Sequence, residues 1–348
     1  MSLKDSMWDL VKSLGIFPLP ESLRTCLNVI KSVAILILLA IFIVVNSIII
    51  FILAILLNFF MITPSFHFSA TKLIDKIFWD VVLYLINKKQ IKIIIQGLNL
   101  NEMRNNKNSK NDPKIQELKN SIVISNHRSL FDFVIMYYLK TVVEKATDDE
   151  INMKFFNWNK LWSTPDFCLL RNIMKYDENW EYKSADLEHK LRRCTTNPAH
   201  KPNNHWVIHF PEVNIFDEKT QLTQSQQNDS YYLPKLDNLL YPRFNNFNNL
   251  ISILQKDQLT KEPHFPFKNL IDLNILYYDP LKNSFVEPKL LEILALKQPI
   301  LIINIEIKLN PLNKLPSKQR KLEKWLEQDW CEKDKQLELT QKNLKIEE

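Results

Sequence analysis

The sequence predicts an α/β fold in which a mixed sheet carries flanking helices, preceded by an N-terminal membrane-embedded helical segment. Two observations lead there. From Ile91 onward, short β-rich runs alternate with helical ones, the pattern of a layered α/β domain. Before that, Val33 to Ile62 is almost wholly apolar, broken only by Asn46, Ser47 and Asn58, and roughly 20 apolar residues suffice to cross a bilayer.

Five stretches divide the chain: an N-terminal segment (1–32), the apolar run (33–62), an amphipathic segment (63–90), the α/β domain (91–315) and a C-terminal helix (316–348). The apolar run starts too far from the N-terminus, and is too long, for a cleavable signal peptide. It fits either a tilted transmembrane helix or a re-entrant hairpin turning at Asn46-Ser47. Arg24 and Lys31 precede it, and Lys72, Lys76, Lys88 and Lys89 follow it, so flanking charge does not orient it. In the next segment Leu73, Ile74, Ile77, Phe78, Val81 and Leu85 share one helical stripe. Such a helix either packs on the core or lies in the membrane interface.

Within the α/β domain, strands are expected at Ile91–Ile95, Ile122–Ile124, Trp206–His209, Asp272–Tyr277 and Ile300–Ile305. Helices are expected at Leu130–Val143, Ala185–Arg193 and Ser317–Leu337. The polar, turn-rich stretches Asn101–Pro113 and Glu218–Ser230 read as surface loops.

Composition narrows the functional classes. The 348 residues carry a net charge of +6 without a concentrated basic block, which suits anionic lipid or an acyl-CoA and gives no reason to expect nucleic acid. Gly15 and Gly97 are the two glycines of the chain, so no glycine-rich phosphate loop can be written. Cys26, Cys168, Cys194 and Cys331 are scattered, with neither a disulfide framework nor zinc-site spacing.

The chemistry-bearing stretch is Ser125-Asn126-His127-Arg128-Ser129-Leu130-Phe131-Asp132. It sits between a strand-like run and a helix-like run, so His127 falls where a strand hands over to a helix, near free backbone N–H groups. A neutral imidazole there can take a proton from an alcohol, while Asp132 holds its tautomer and stabilises the imidazolium. A second candidate is Phe210-Pro211-Glu212. Proline stops a central strand and projects Glu212 beyond the sheet edge. If the two strands run parallel, His127 and Glu212 share the face on which α/β sheets bind ligands.

An N-H-x4-D motif followed by F-P-E resembles the glycerolipid acyltransferase family, in particular its lysocardiolipin and lysophosphatidylinositol acyltransferase-like branch. Further blocks are similar in order: Asn179-Trp180-Glu181, Leu240-Tyr241-Pro242-Arg243, Asp272-Leu273-Asn274-Ile275, and Trp325 through Trp330-Cys331-Glu332-Lys333-Asp334. The resemblance implies an acyltransferase-like α/β fold and transfer of an acyl chain from acyl-CoA to a lysophospholipid or glycerophosphate hydroxyl. It implies His127 and Asp132 as catalytic residues, and substrate contacts from Asn126, Arg128, Ser129, Phe210, Pro211, Glu212 and Arg243. No cofactor or metal is expected, since acyl-CoA is a substrate. The partners implied are acyl-CoA, lysophospholipid and a membrane, and the location is the endoplasmic reticulum or a related endomembrane.

Two departures stand out. The family's usual Gly-Thr after F-P-E is Val213-Asn214 here, and a β-branched residue is not expected to take glycine's conformations. The family's phosphate-binding arginine aligns with Glu178, unless the alignment slips and Arg171 or Lys175 serves. An alternative therefore stands beside the enzyme: a catalytically inert acyltransferase-like membrane protein with a structural or lipid-binding role, as in spore-wall formation, in which fungal relatives of this branch are implicated. A hydrolase is disfavoured, because no G-x-S-x-G elbow is present.

Overall fold

The computed structural model describes residues 91–97, 113–157, 160–162, 183–195, 204–288 and 301–346, together with helical positions within 27–55 and 73–84. Its centre is an eight-stranded mixed sheet. In chain order the strands are β1 (Ile91–Gln96), β2 (Ser121–Ser125), β3 (Asn152–Asn157), β4 (Lys160–Trp162), β5 (His205–His209), β6 (Asn269–Asp279), β7 (Ser284–Phe285) and β8 (Leu301–Pro311). They lie side by side as β1-β8-β6-β2-β5-β3-β4, with β7 hairpinned onto β6. The β1/β8, β6/β2, β2/β5 and β5/β3 pairs are parallel, whereas β8/β6, β6/β7 and β3/β4 are antiparallel. The helices are α1 (Pro113–Leu118), α2 (Asp132–Thr147), α3 (Ser184–Thr195), α4 (Glu218–Ser230), α5 (Phe244–Gln258) and α6 (Gln319–Ile346).

The α/β class with a mixed sheet and flanking helices is thus as expected, and the reason lies in the strands. β2 and β5 are buried along their whole length, as parallel strands covered on both faces must be, so they read as near-continuous apolar runs. Successive side chains go to opposite layers. Val123 joins α2 and the helix at 76–84 on one face, while Ile122 and Ile124 join α3, α5 and α6 on the other.

Several expectations need correction. β3, β4 and β7 were not foreseen. β3 reads Asn-Met-Lys-Phe-Phe-Asn, with no β-branched residue to signal a strand. Glu218–Ser230 is a helix and not a loop: Asp217 caps it by accepting from Thr220 N–H at 2.9 Å. Because α4 buries little beyond Asn228, it has no apolar stripe to read. α5 carries such a stripe (Phe247, Leu250, Ile251, Leu254) hidden among asparagines. In the amphipathic segment the core takes Phe78, Trp79 and Val82, while Leu73, Ile77 and Val81 stay exposed. The buried face is turned from the expected one because the helix is apolar on both sides.

Most of Asn101–Pro113 lies outside the described residues, as do Asn179-Trp180-Glu181, Glu178, Arg171 and Lys175. Within 27–55 the described positions are helical; apart from Phe42, which packs against Phe78, their large apolar side chains are exposed, Leu38 at 65% and Ile37 at 53% among them. Among the described residues, no helix is long and apolar enough to cross a membrane.

Candidate active site

β2 and β5 are parallel neighbours with Ile124 opposite His209, so their C-terminal ends point the same way. His127 and Glu212 lie just beyond those ends, on the ligand-binding edge of such sheets. β6, parallel to β2 on its other side, delivers Tyr277 to the same edge.

After β2 the chain folds back so that Asp132, the first residue of α2, gathers the turn around its carboxylate. Its Oδ2 accepts from the main-chain N–H groups of Arg128 at 2.7 Å and Ser129 at 3.0 Å, and lies 2.8 Å from Nδ1 of His127. Its Oδ1 accepts from the Tyr277 hydroxyl. Burial, reinforced by the Asp132 charge, holds the Tyr277 phenol well above its ordinary value, so it remains a donor. With Nδ1–H facing the carboxylate, the neutral imidazole presents its lone pair on Nε2, the tautomer a base requires.

Nε2 is buried and has no hydrogen-bond partner, and His127 is 0% exposed. Phe210 stacks on the ring with centroids 4.3 Å apart, and Phe133 meets it edge-on at 5.4 Å. An unmatched buried polar atom costs roughly 1–3 kcal/mol, so each calls for a partner or a function. Two more lie close by in the fold: Nε of Arg128 and Oε2 of Glu212.

Glu212 is 1% exposed, and its Oε1 accepts from the Trp330 indole N–H at 3.2 Å. Burial pushes its carboxyl up to about 8, against the pull of Trp330, Arg128, the His127 main-chain amide and Lys333. Arg128 is buried as well. Its Nη1 donates to Asn238 O at 3.2 Å and its guanidinium lies 4.6 Å over the Phe216 ring. Burial lowers its pKa, with Glu287, Glu212 and Asp132 opposing that shift.

The other expected site residues serve the frame. Asn126 clasps β6 by donating to Ile275 O at 2.9 Å and accepting from Ile275 N–H at 2.8 Å. The Ser129 hydroxyl donates to Pro288 O and accepts from Phe131 N–H at 3.0 Å. Pro211 O accepts from the Arg243 N–H at 2.8 Å, which seats the L-Y-P-R block against the F-P-E turn. The free backbone N–H groups expected after His127 are a correction: those of Arg128 and Ser129 are spent on Asp132.

Val213 brings a second correction. It adopts φ +65°, the left-handed region it was expected to avoid. Asn214 N–H donates to Glu212 O at 2.7 Å and Val213 N–H to Phe210 O at 3.0 Å. A positive φ inside an i→i+2 hydrogen bond is a rare, strained γ-turn. The turn that suits glycine is kept with valine in it.

Three residues at this edge had no role assigned from the sequence. Tyr277 is one; Trp330 and Lys333, both on α6, are the others. Lys333 is 1% exposed. It pairs with Asp272, donates to Leu273 O at 3.1 Å, lies 3.8 Å from Asp329 and sits 4.1 Å over the Trp330 ring. The D-L-N-I block and the C-terminal block therefore meet face to face, and that meeting has no local signal in either. Among the described residues, no group of three or more His, Cys, Asp or Glu side chains is placed to hold a metal ion.

Comparison with protein-family models, curated proteins and solved structures finds no match to this chain.

Proposed function

We propose that the chain is a membrane-bound acyltransferase that moves an acyl chain from acyl-CoA to a lysophospholipid or glycerophosphate hydroxyl. The observation that carries this reading is the His127–Asp132 pair, with one imidazole nitrogen fixed at 2.8 Å from a carboxylate and the other buried without a partner. Nε2 takes the proton of the acceptor alcohol as its oxygen bonds to the thioester carbonyl carbon. The tetrahedral oxyanion then collapses, the C–S bond breaks, and the CoA thiolate leaves and takes up a proton from the imidazolium. The arrangement is a hydrolase-type relay in which the substrate supplies the alcohol.

Arg128, a buried guanidinium, is suited to an anionic headgroup or to the CoA phosphates, and Arg243 is a further candidate for a phosphate. The exposed apolar helical residues within 27–55 support attachment to a membrane, with the endoplasmic reticulum or a related endomembrane as the proposed site. The test is transfer of label from acyl-CoA to a panel of lysophospholipids by membranes carrying the protein. Wild type should acylate at least one acceptor, and Asp132→Asn should cut that rate by orders of magnitude.

One observation favours a second reading. His127 is enclosed, so an alcohol can reach Nε2 only if the side chains packed over it move. An inert acyltransferase-like membrane protein with a structural or lipid-binding role needs no such opening. Absence of transfer to every acceptor in the panel would select that reading.

A further inference from the structure

We propose that Glu212 works as a neutral carboxylic acid, using an Oε2–H to donate a hydrogen bond to the substrate oxygen that becomes anionic beside His127. This rests on the acyltransferase reading and assigns the oxyanion donor that the reading lacks. The main-chain N–H groups of Arg128 and Ser129 point at Asp132, so they are not available to an oxyanion. Glu212 stands beyond the neighbouring parallel strand, against the main-chain amide of His127.

The geometry explains why the carboxyl is neutral. No described cation forms an ion pair with it. Lys333 on α6, whose charge acts on it, is committed to Asp272 and Leu273 O, with Asp329 3.8 Å away. Arg128 gives its Nη1 to Asn238 O. The remaining contacts are the Trp330 indole N–H on Oε1 and the main-chain amide of His127, which orient the carboxyl and leave Oε2 buried and unmatched. A lone carboxylate in such a place binds a proton instead of remaining charged. The groups acting on it are the His127 main-chain amide and Arg128 from the β2–α2 turn, and Trp330 and Lys333 from α6; behind them, Glu287, Asp132 and Tyr277 face Arg128, and Asp272 and Asp329 face Lys333. Burial outweighs them and pushes the carboxyl up to about 8. A carboxylic acid held neutral near pH 7 donates to a developing oxyanion without moving its proton, and Nε–H of Arg128, likewise buried and unmatched, is the candidate for a second donor.

Two measurements on the full-length protein test this. The first needs no activity. A folded-state pKa near 8 against 4.5 for the ordinary carboxyl means that the folded protein retains a proton which the unfolded chain releases. Stability from this group is then fully present below about 4.5 and is lost as pH rises through about 8. Wild type should lose stability relative to Glu212→Gln across that window. Parallel pH–stability curves would overturn the neutral state.

The second measurement is the pH profile of acyl transfer. Wild type should lose activity as pH rises through about 8. Glu212→Gln, which keeps a donor, should lose that alkaline limb and stay within about tenfold of wild type, whereas Glu212→Ala should fall about 10²-fold, the cost of deleting an oxyanion donor elsewhere. Trp330→Phe removes a hydrogen bond that favours the charged form, so it should move the limb to higher pH. Glutamine as inactive as alanine, or activity that rises through pH 8, would overturn the donor role. If wild type transfers nothing, the enzyme reading fails together with the donor role, while the stability curves still decide the protonation state.

Discussion

His127, Glu212 and Val213 each hold an unfavourable state that the surrounding fold over-determines. For Val213 the cost is separable from its neighbours. A strained φ/ψ is worth roughly 1–3 kcal/mol, and glycine gives back roughly 0.5–1 kcal/mol through its unfolded-state entropy. Val213→Gly is therefore expected to stabilise the protein by about 1 kcal/mol and raise its melting temperature; a lowered melting temperature would show that the valine side chain's packing outweighs the strain. Lys333 is the opposite case. Leaving Asp272 buried without its ammonium should cost about 3–5 kcal/mol in Lys333→Met, seen as a lower denaturant midpoint, and replacing Asp272 by Leu in the same chain should recover the larger part. The sequence pattern made His127, Asp132 and Glu212 legible because their signals are local: five positions from base to carboxylate, and a proline that stops a strand. Tyr277, Trp330 and Lys333 act through partners far away in sequence, Asp132, Glu212 and Asp272, and no periodicity or spacing encodes those pairings.

Among the elements, the long β6/β8 ladder and the parallel β1/β8 pair anchor the sheet. Gly97 closes β1 at φ +90°, and a Cβ there would run into the carbonyl oxygen of Ile307 on β8. Strain and overlap together predict that Gly97→Ala costs about 2–4 kcal/mol, measured by chemical unfolding; a neutral effect would mean that β8 can retreat. α4 offers a gentler test. Asp217 is its N-cap, and Asp217→Ala should cost about 1 kcal/mol without touching the site. The same two places show what limits a reading of the fold from sequence. β2, β5 and β6 are buried on both faces and β8 at least on one, and apolar runs announce all four. β3 lacks β-branched residues, and α4 has no apolar face, so each is specified by its neighbours: β3 by pairing with β5, and α4 by its cap and by Gln221 and Gln224, which donate to Leu236 O and accept from Tyr241 N–H.

For the whole molecule, the buried Lys333–Asp272 pair joins the sheet to α6, and most of the exposed large apolar side chains among the described residues lie on helical positions before Ile91. The described positions in 27–55, with side chains such as Leu38, Ile48 and Ile52 turned outward, are suited to hydrocarbon. We therefore expect the protein to stay in the membrane fraction through carbonate and high-salt washes, since screening releases electrostatically bound proteins and not buried apolar helices. Release by salt alone would contradict membrane embedding. The central claim is that an imidazole held by Asp132 removes the acceptor's proton, and it meets its most direct test in His127→Ala. On any lysophospholipid that wild type acylates from acyl-CoA, turnover should fall by roughly 10²–10⁴-fold, with the protein still folded and still in the membrane. Turnover close to wild type in that variant would contradict the account.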